Sequence, residues 1–164
     1  MSSYRVFYSL TCSLLLLVAS LVLSLPVVGY AQADSAVGNW KLDLSKSKFA
    51  PGTAPTNLTV TIEAAGQGVK VTATTLRANG KKIVTHYTAY MDGKDYAVTG
   101  SPDYDTVSLK RIGNTVEGTR KKDGNIVQNY QRVVSEDRKT MTVATTGKDA
   151  SGQTLNSVAV FVRR

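Results

Sequence analysis

The amino-acid sequence predicts an all-β protein, folded as an antiparallel up-and-down barrel of about 8–10 strands. After residue 33, apolar and polar residues alternate in short segments rich in Val, Thr, Ile and Tyr, and no window of about 11 residues shows a helical period. Turn-forming dipeptides separate these segments at intervals of about 10–15 residues, as in consecutive antiparallel neighbours. We favour a barrel over a β-sandwich because closing a long meander removes its exposed edges.

The alternation predicts the strands in chain order. The expected segments are 37–44, 58–63, 69–74, 83–91, 106–112, 115–122, 125–134, 139–146 and 153–162. Asn79-Gly80, Asp92-Gly93 and Asp123-Gly124 are dipeptides that favour two-residue hairpins, because both positions need positive φ. Gly113-Asn114 is a fourth turn of this kind.

The segment 45–56 lacks strand alternation and contains Pro51 and Pro55. We expect a long loop or lid between the first two strands, with one helical turn near residues 45–48. Long loops in compact domains are more often functional than tight turns are.

Residues 1–33 have the pattern of a cleaved export signal. Arg5 precedes an apolar stretch from Leu10 to Val28, and small residues follow the helix-breaking Pro26. The spacing of these small residues fits cleavage before Gln32 or before Asp34. An uncleaved membrane anchor is the alternative interpretation. We therefore expect a secreted or periplasmic protein whose residues 34–164 form one domain.

Composition excludes several kinds of chemistry. The chain has 20 Lys+Arg and 12 Asp+Glu, a formal net charge of +8; without residues 1–33 it keeps 19 basic and 12 acidic residues, no cysteine and one histidine, His86. A disulfide, a thiol nucleophile and a Cys-ligated zinc are thus excluded from the exported domain. His86 lies mid-strand without a nucleophile-elbow motif, and Asp103-Tyr104-Asp105 lacks the rest of a calcium loop. We predict no catalytic residue, no metal and no cofactor.

The predicted first strand carries Gly38-Asn39-Trp40. This Gly-x-Trp resembles the opening motif of the lipocalins and the wider calycin superfamily, and the following residues look like small exported lipocalin-like proteins of bacteria. The resemblance implies that Trp40 seals the closed end of the barrel against a basic residue near the last strand, Arg163 or Arg164, through a cation–π contact. Gly38, Trp40 and Arg163 are the candidate closure residues. The lipocalin disulfide and C-terminal helix have no counterpart in this sequence.

Candidate ligand-binding residues lie on three predicted strands. Gln128, Tyr130 and Arg132 share one face of their strand, Arg111 shares a face with Val107 and Leu109, and Tyr87 is favoured over Tyr90, which lies on the opposite face. If these faces point inward, the arginines and Tyr130 can hold a carboxylate by charge-assisted hydrogen bonds. Fatty-acid-binding relatives use an Arg/Tyr cluster in this way. The competing interpretation turns Val127, Gln131 and Val133 inward and leaves Arg132 in solvent.

Two functions fit these observations. The first is a monomeric carrier of a small hydrophobic or amphipathic molecule, including an anionic one. The second is a non-enzymatic, envelope-associated domain whose barrel is filled by its own side chains. Scattered lysines are typical of a solvated surface or of attraction to an anionic envelope surface, and they do not favour nucleic-acid binding. A cavity of at least ~300 Å³ containing Arg111 or Arg132 favours the carrier.

Overall fold

A computed structural model describes residues 34–50 and 54–164. These residues form a closed barrel of ten antiparallel strands in up-and-down order, which confirms the predicted fold class. The strands are β1 (Gly38–Leu42), β2 (Asn57–Ala65), β3 (Gly68–Leu76), β4 (Lys82–Tyr90), β5 (Asp92–Thr99), β6 (Thr106–Ile112), β7 (Thr115–Lys122), β8 (Asn125–Val134), β9 (Thr140–Lys148) and β10 (Thr154–Arg163). The predicted export signal, residues 1–33, lies outside the described residues.

Each strand pairs with its neighbour in sequence, and β1 closes the barrel by pairing with both β2 and β10. Trp40 stands opposite Val60 on one side and opposite Arg163 on the other. Because every strand has two partners, the meander ends without an exposed edge. The register also brings the two ends of the domain together at one end of the barrel.

Of the three predicted two-residue hairpins, only the one at Asp123-Gly124 has positive φ at both positions. Asn79 and Asp92 do not adopt positive φ, so that part of the prediction was wrong for their turns. Asp123 and Gly124 both adopt positive φ, 49° and 79°, as the hairpin between β7 and β8 requires. The chain also turns at Asp92-Gly93, but there β4 and β5 splay apart and pair only at His86–Thr99 and Tyr87–Val98. The alternation in the sequence did not single out β5, because its ladder to β6 is broken by a bulge between Asp92 and Asp95.

The barrel has two unlike ends, which we call the base and the mouth. The base is where β1 begins and β10 ends, and the buried Trp40 and Ala36 lie there. The antiparallel order of the strands places the described loop residues 43–50, 54–56, 77–81, 100–105, 123–124 and 149–153 at the mouth. The expected helical turn in the first loop is a 3-10 turn, Leu44–Lys46, capped by the Asp43 side chain. No helix within the described residues is long and apolar enough to cross a membrane.

Candidate functional site

The barrel encloses a cavity of about 300 Å³. Its wall toward the base is largely apolar and includes Ile62, Val71, Met141 and Phe161. Its polar wall is formed mainly by inward residues of β4, β7, β8 and β9, namely Thr85, Tyr87, Arg120, Gln128, Tyr130, Arg132 and Thr145. The interior therefore has an apolar compartment and a polar, cationic side, the combination expected of a site for an amphipathic molecule.

Arg120 is the centre of the polar side. Its guanidinium carbon lies 4.7 Å from the ring centroid of Tyr104 and 4.5 Å from that of Tyr130. Its Nη1 donates a hydrogen bond of 2.8 Å to Oε1 of Gln128, whose own amide donates to the carbonyl of Lys148. We call Arg120, Tyr104, Tyr130 and Gln128 the arginine cluster. Two aromatic contacts and one hydrogen bond fix the position of the guanidinium.

Among residues 34–50 and 54–164, Arg120 has no carboxylate within ion-pair distance, although the carboxylate of Asp103 acts on it from further away and helps to raise its pKa. Burial raises the pKa of Tyr104 and raises the pKa of Tyr87 well above the ordinary value, so neither phenol supplies a negative charge at neutral pH. The Nε of Arg120 is buried and, among the described residues, is the buried side-chain polar atom that has no hydrogen-bond partner. A buried donor without a partner lowers the stability of the fold unless a ligand or a water molecule accepts its hydrogen bond.

The structure turns the Gln128, Tyr130 and Arg132 face of β8 inward. All three line the cavity, whereas Gln131 and Val133 of the opposite face are exposed. Tyr87 also lines the cavity, and Tyr90 points outward with 42% of its surface exposed. Arg111 lies outside the cavity lining, so the structure brings together four of the five candidate ligand-binding residues.

Arg132 and Arg111 already share a carboxylate of the chain itself. Both guanidinium groups form ion pairs with Oδ2 of Asp34, that of Arg111 at 3.2 Å. The other carboxylate oxygen, Oδ1, accepts a hydrogen bond of 2.9 Å from the backbone N–H of Ala36. The sequence predicted that these two arginines hold the anionic group of a ligand. In the structure, the carboxylate of Asp34 takes that position instead.

The base of the barrel is closed by the residues of the Gly-x-Trp motif and the end of β10. The guanidinium of Arg163 lies 4.3 Å from the ring centroid of Trp40, and it donates to the carbonyls of Val37, Ser35 and Arg138. A Cβ on Gly38 would lie 2.2 Å from Nη1 of Arg163, at a φ of +142°. Gly38 is thus a glycine because the arginine passes directly over its backbone.

The mouth is held by Asp103 in the β5–β6 loop. Its Oδ2 accepts a hydrogen bond of 2.7 Å from Arg77 of the β3–β4 loop, and its Oδ1 accepts one of 3.0 Å from the backbone N–H of Ala150 in the β9–β10 loop. Tyr104, the next residue, belongs to the arginine cluster. Asp103 therefore joins three loops of the mouth directly beside the unpaired cation.

The residues considered for catalysis are dispersed. His86 is exposed on the outside of β4, where its Nδ1 is 3.0 Å from the hydroxyl of Thr72. Within the described part of the chain, no three His, Cys, Asp or Glu side chains are grouped so that they could hold a metal ion. Asp105, the second acid of the Asp103-Tyr104-Asp105 sequence, caps the β7–β8 turn by accepting from the backbone N–H of Asp123.

Sequence reasoning missed Arg120 and Tyr104. Arg120 stands in a polar stretch, Arg120-Lys121-Lys122, which is typical of a solvated strand end. One signal was present: Val116, Gly118 and Arg120 share a face of β7, and a glycine within a strand marks the close approach of another group. Tyr104 is in a loop, for which alternation makes no prediction.

Comparison with solved structures gives matches at low sequence identity. No family model matches the chain, and no curated protein matches it in sequence. The zebrafish ileal bile acid-binding protein complexed with cholic acid is similar over 79% of this chain and 99% of its own, with 12% identity and a TM-score of 0.45. The siderocalin Ex-FABP, which functions through dual ligand specificities, is similar over 79% of this chain and 74% of its own, with 12% identity and a TM-score of 0.38. At this identity, the ligand class of the chain has to be inferred from its own interior.

Proposed function

We propose that this protein is an exported, non-enzymatic carrier that binds a small amphipathic molecule inside its barrel, with the anionic group of that molecule at Arg120. The observation that carries the proposal is the buried Nε of Arg120, an unsatisfied donor on a cation that lacks a carboxylate partner. An anionic oxygen at this place would satisfy the donor and neutralise the charge together. The apolar wall toward Ile62 and Phe161 would take the hydrocarbon part.

The cavity favours this function over a barrel filled by its own side chains. Its volume of about 300 Å³ meets the size expected of a small-ligand site, and Arg132 is part of its lining. Export rests on the pattern of residues 1–33. Attraction to an anionic envelope surface stays a prediction, which a salt-sensitive pull-down on envelope material would test.

The carrier function can be tested with decanoate and decanol, which share a chain length and differ in the anionic group. We expect the wild-type protein to bind decanoate more tightly, and Arg120→Gln to weaken decanoate by about 1.5–3 kcal/mol while changing decanol little. Arg164→Gln is the matched control, because it removes an exposed guanidinium that lies outside the cavity lining. Isothermal titration calorimetry measures all six affinities. Equal loss of decanoate and decanol in Arg120→Gln would argue for a packing role.

The natural ligand can be sought directly. Native mass spectrometry of protein produced from the full-length sequence in its own host should show a co-purifying small acid. Absence of such a molecule, together with absence of lipophilic-dye binding, would count against the carrier.

A further inference from the structure

Asp34 is the first or the third residue of the exported chain, for predicted cleavage before Asp34 or before Gln32, yet its carboxylate is buried at the base of the barrel, with only 6% of the side chain exposed. Arg132, its partner, is buried to the same degree, and it lines the cavity. Arg111 shares the same carboxylate oxygen from a more exposed position. The buried carboxylate of Asp34 is therefore held by two guanidinium groups. It neutralises the charge of Arg132, which would otherwise face the ligand.

Three arginines line the cavity: Arg77 at the mouth is paired with Asp103, and the other two, Arg120 and Arg132, stand at different depths. Arg120 pairs with Gln128 in the β7–β8 ladder, and Arg132 lies four residues further along β8 toward the base. At about 3.4 Å per residue, their backbones are separated by roughly 14 Å. Among the described residues, Arg120 has no carboxylate within ion-pair distance, whereas Arg132 pairs with the carboxylate of Asp34. Tyr130, between them on the same face, separates the two levels.

We infer that Asp34 determines the charge selectivity of the cavity: by neutralising Arg132 it restricts the site to molecules with one anionic group, at Arg120, and an apolar opposite end. A second carboxylate reaching the base would be buried close to the carboxylate of Asp34 and would be repelled by it. This inference rests on the proposed function, since it assigns the number of charges on the ligand of the same site.

The inference is tested with decanoate and sebacate, the mono- and dicarboxylates of equal chain length. Asp34→Asn keeps the shape of the side chain and one acceptor oxygen but releases the charge of Arg132. We expect this variant to raise the affinity for sebacate relative to decanoate by at least about tenfold, because a second charge-assisted hydrogen bond becomes possible. The double variant Asp34→Asn/Arg132→Gln, which lacks both charges, should return the ratio to the wild-type value.

Asp137→Asn is the matched control for net charge, because it removes an exposed carboxylate from a loop at the same end of the barrel. It should leave the ratio unchanged. Far-ultraviolet circular dichroism and the fluorescence of the buried Trp40 report whether each variant is folded. Should Asp34→Asn not fold, Arg132→Gln decides, since Arg111 still pairs with the carboxylate of Asp34 in this variant. We expect its decanoate affinity to stay within about twofold of wild type, because Asp34 already neutralises Arg132 in the wild-type protein.

The outcomes separate the two proposals. A wild-type protein that binds decanoate, combined with an unchanged sebacate-to-decanoate ratio in Asp34→Asn, overturns the role of Asp34 and leaves the carrier function standing. A tenfold loss of decanoate affinity in Arg132→Gln also overturns it, because Arg132 would then bind the anion itself. A wild-type protein that does not distinguish decanoate from decanol overturns both.

Discussion

The ring of Tyr130 occupies the space that a side chain at Gly118 would need. The two residues face each other in the β7–β8 ladder, and a Cβ on Gly118 would lie 2.1 Å from Cε1 of Tyr130. Gly118 therefore allows the ring to lie against β7, two residues from Arg120 on the same face. The absence of a side chain at Gly118 therefore helps to place the ring of Tyr130 against the guanidinium of Arg120.

Gly118→Ala should displace the ring of Tyr130. The ring can rotate away but loses its contact with Arg120, so we expect decanoate affinity to fall by about tenfold and the free energy of unfolding by about 1–3 kcal/mol. Thr119→Ala, on the outer face of the same strand, is the control and should leave the affinity unchanged. Calorimetric titration and urea denaturation measure the two quantities. Normal affinity in Gly118→Ala would show that the contact between Tyr130 and Arg120 does not position the cation.

Arg163→Ala should destabilise the base of the barrel. The change exposes Trp40 and leaves the carbonyls of Ser35, Val37 and Arg138 without their charged donor. We expect a loss of about 2–4 kcal/mol in the free energy of unfolding. Arg164→Ala is the natural comparison because its side chain is exposed, and it should cost at most about 0.5 kcal/mol. Equal losses in the two variants would contradict the assigned role of Arg163.

Asp103→Asn should loosen the mouth without removing any part of the arginine cluster. The neutral side chain holds Arg77 and the backbone of Ala150 less strongly, so the three loops should separate more often. We expect decanoate to dissociate about three- to tenfold faster in stopped-flow displacement. Asp95→Asn, which breaks an ion pair with Lys121 outside the cavity lining, is the control. Identical dissociation rates would mean that Asp103 does not control the mouth.

Asp105 should make stability depend on pH in the acid range. The backbone N–H of Asp123 and the hydroxyl of Thr106 bind its charged form and lower its pKa in the folded protein. A carboxyl group whose pKa is lower in the folded protein than in the unfolded one stabilises the fold at pH values above about 3.9, the ordinary carboxylate pKa. This contribution is lost as the pH falls through the folded-state pKa. Asp105→Asn should therefore be less stable than wild type at pH 7, with a difference that shrinks below about pH 4.

Urea midpoints between pH 7 and pH 2 measure this difference. Glu136→Gln, an exposed carboxylate in the β8–β9 loop, should track the wild-type curve throughout. A gap between Asp105→Asn and wild type that stays constant with pH would mean that its cause is the turn geometry rather than the charge.

Patterns that are local in sequence were predictable. Alternation placed nine of the ten strands, and Asp123-Gly124 placed the β7–β8 hairpin, because both signals depend on neighbouring residues. The inward face of β8 was one of two open alternatives, since period-two alternation does not say which face is buried when both carry apolar and polar residues. Burial of Arg132 decided between them.

The sequence by itself determined a β meander, a glycine–tryptophan opening and the absence of cysteine from residues 34–164. Only the tertiary structure decided how its charges are used. Asp34 and Arg132 are 98 residues apart in the chain, and Tyr104, Arg120 and Tyr130 come from a loop and two strands. The physical reason is barrel closure: it places these groups in one enclosed space of low polarity, where a neutralised arginine and an unpaired one have different consequences.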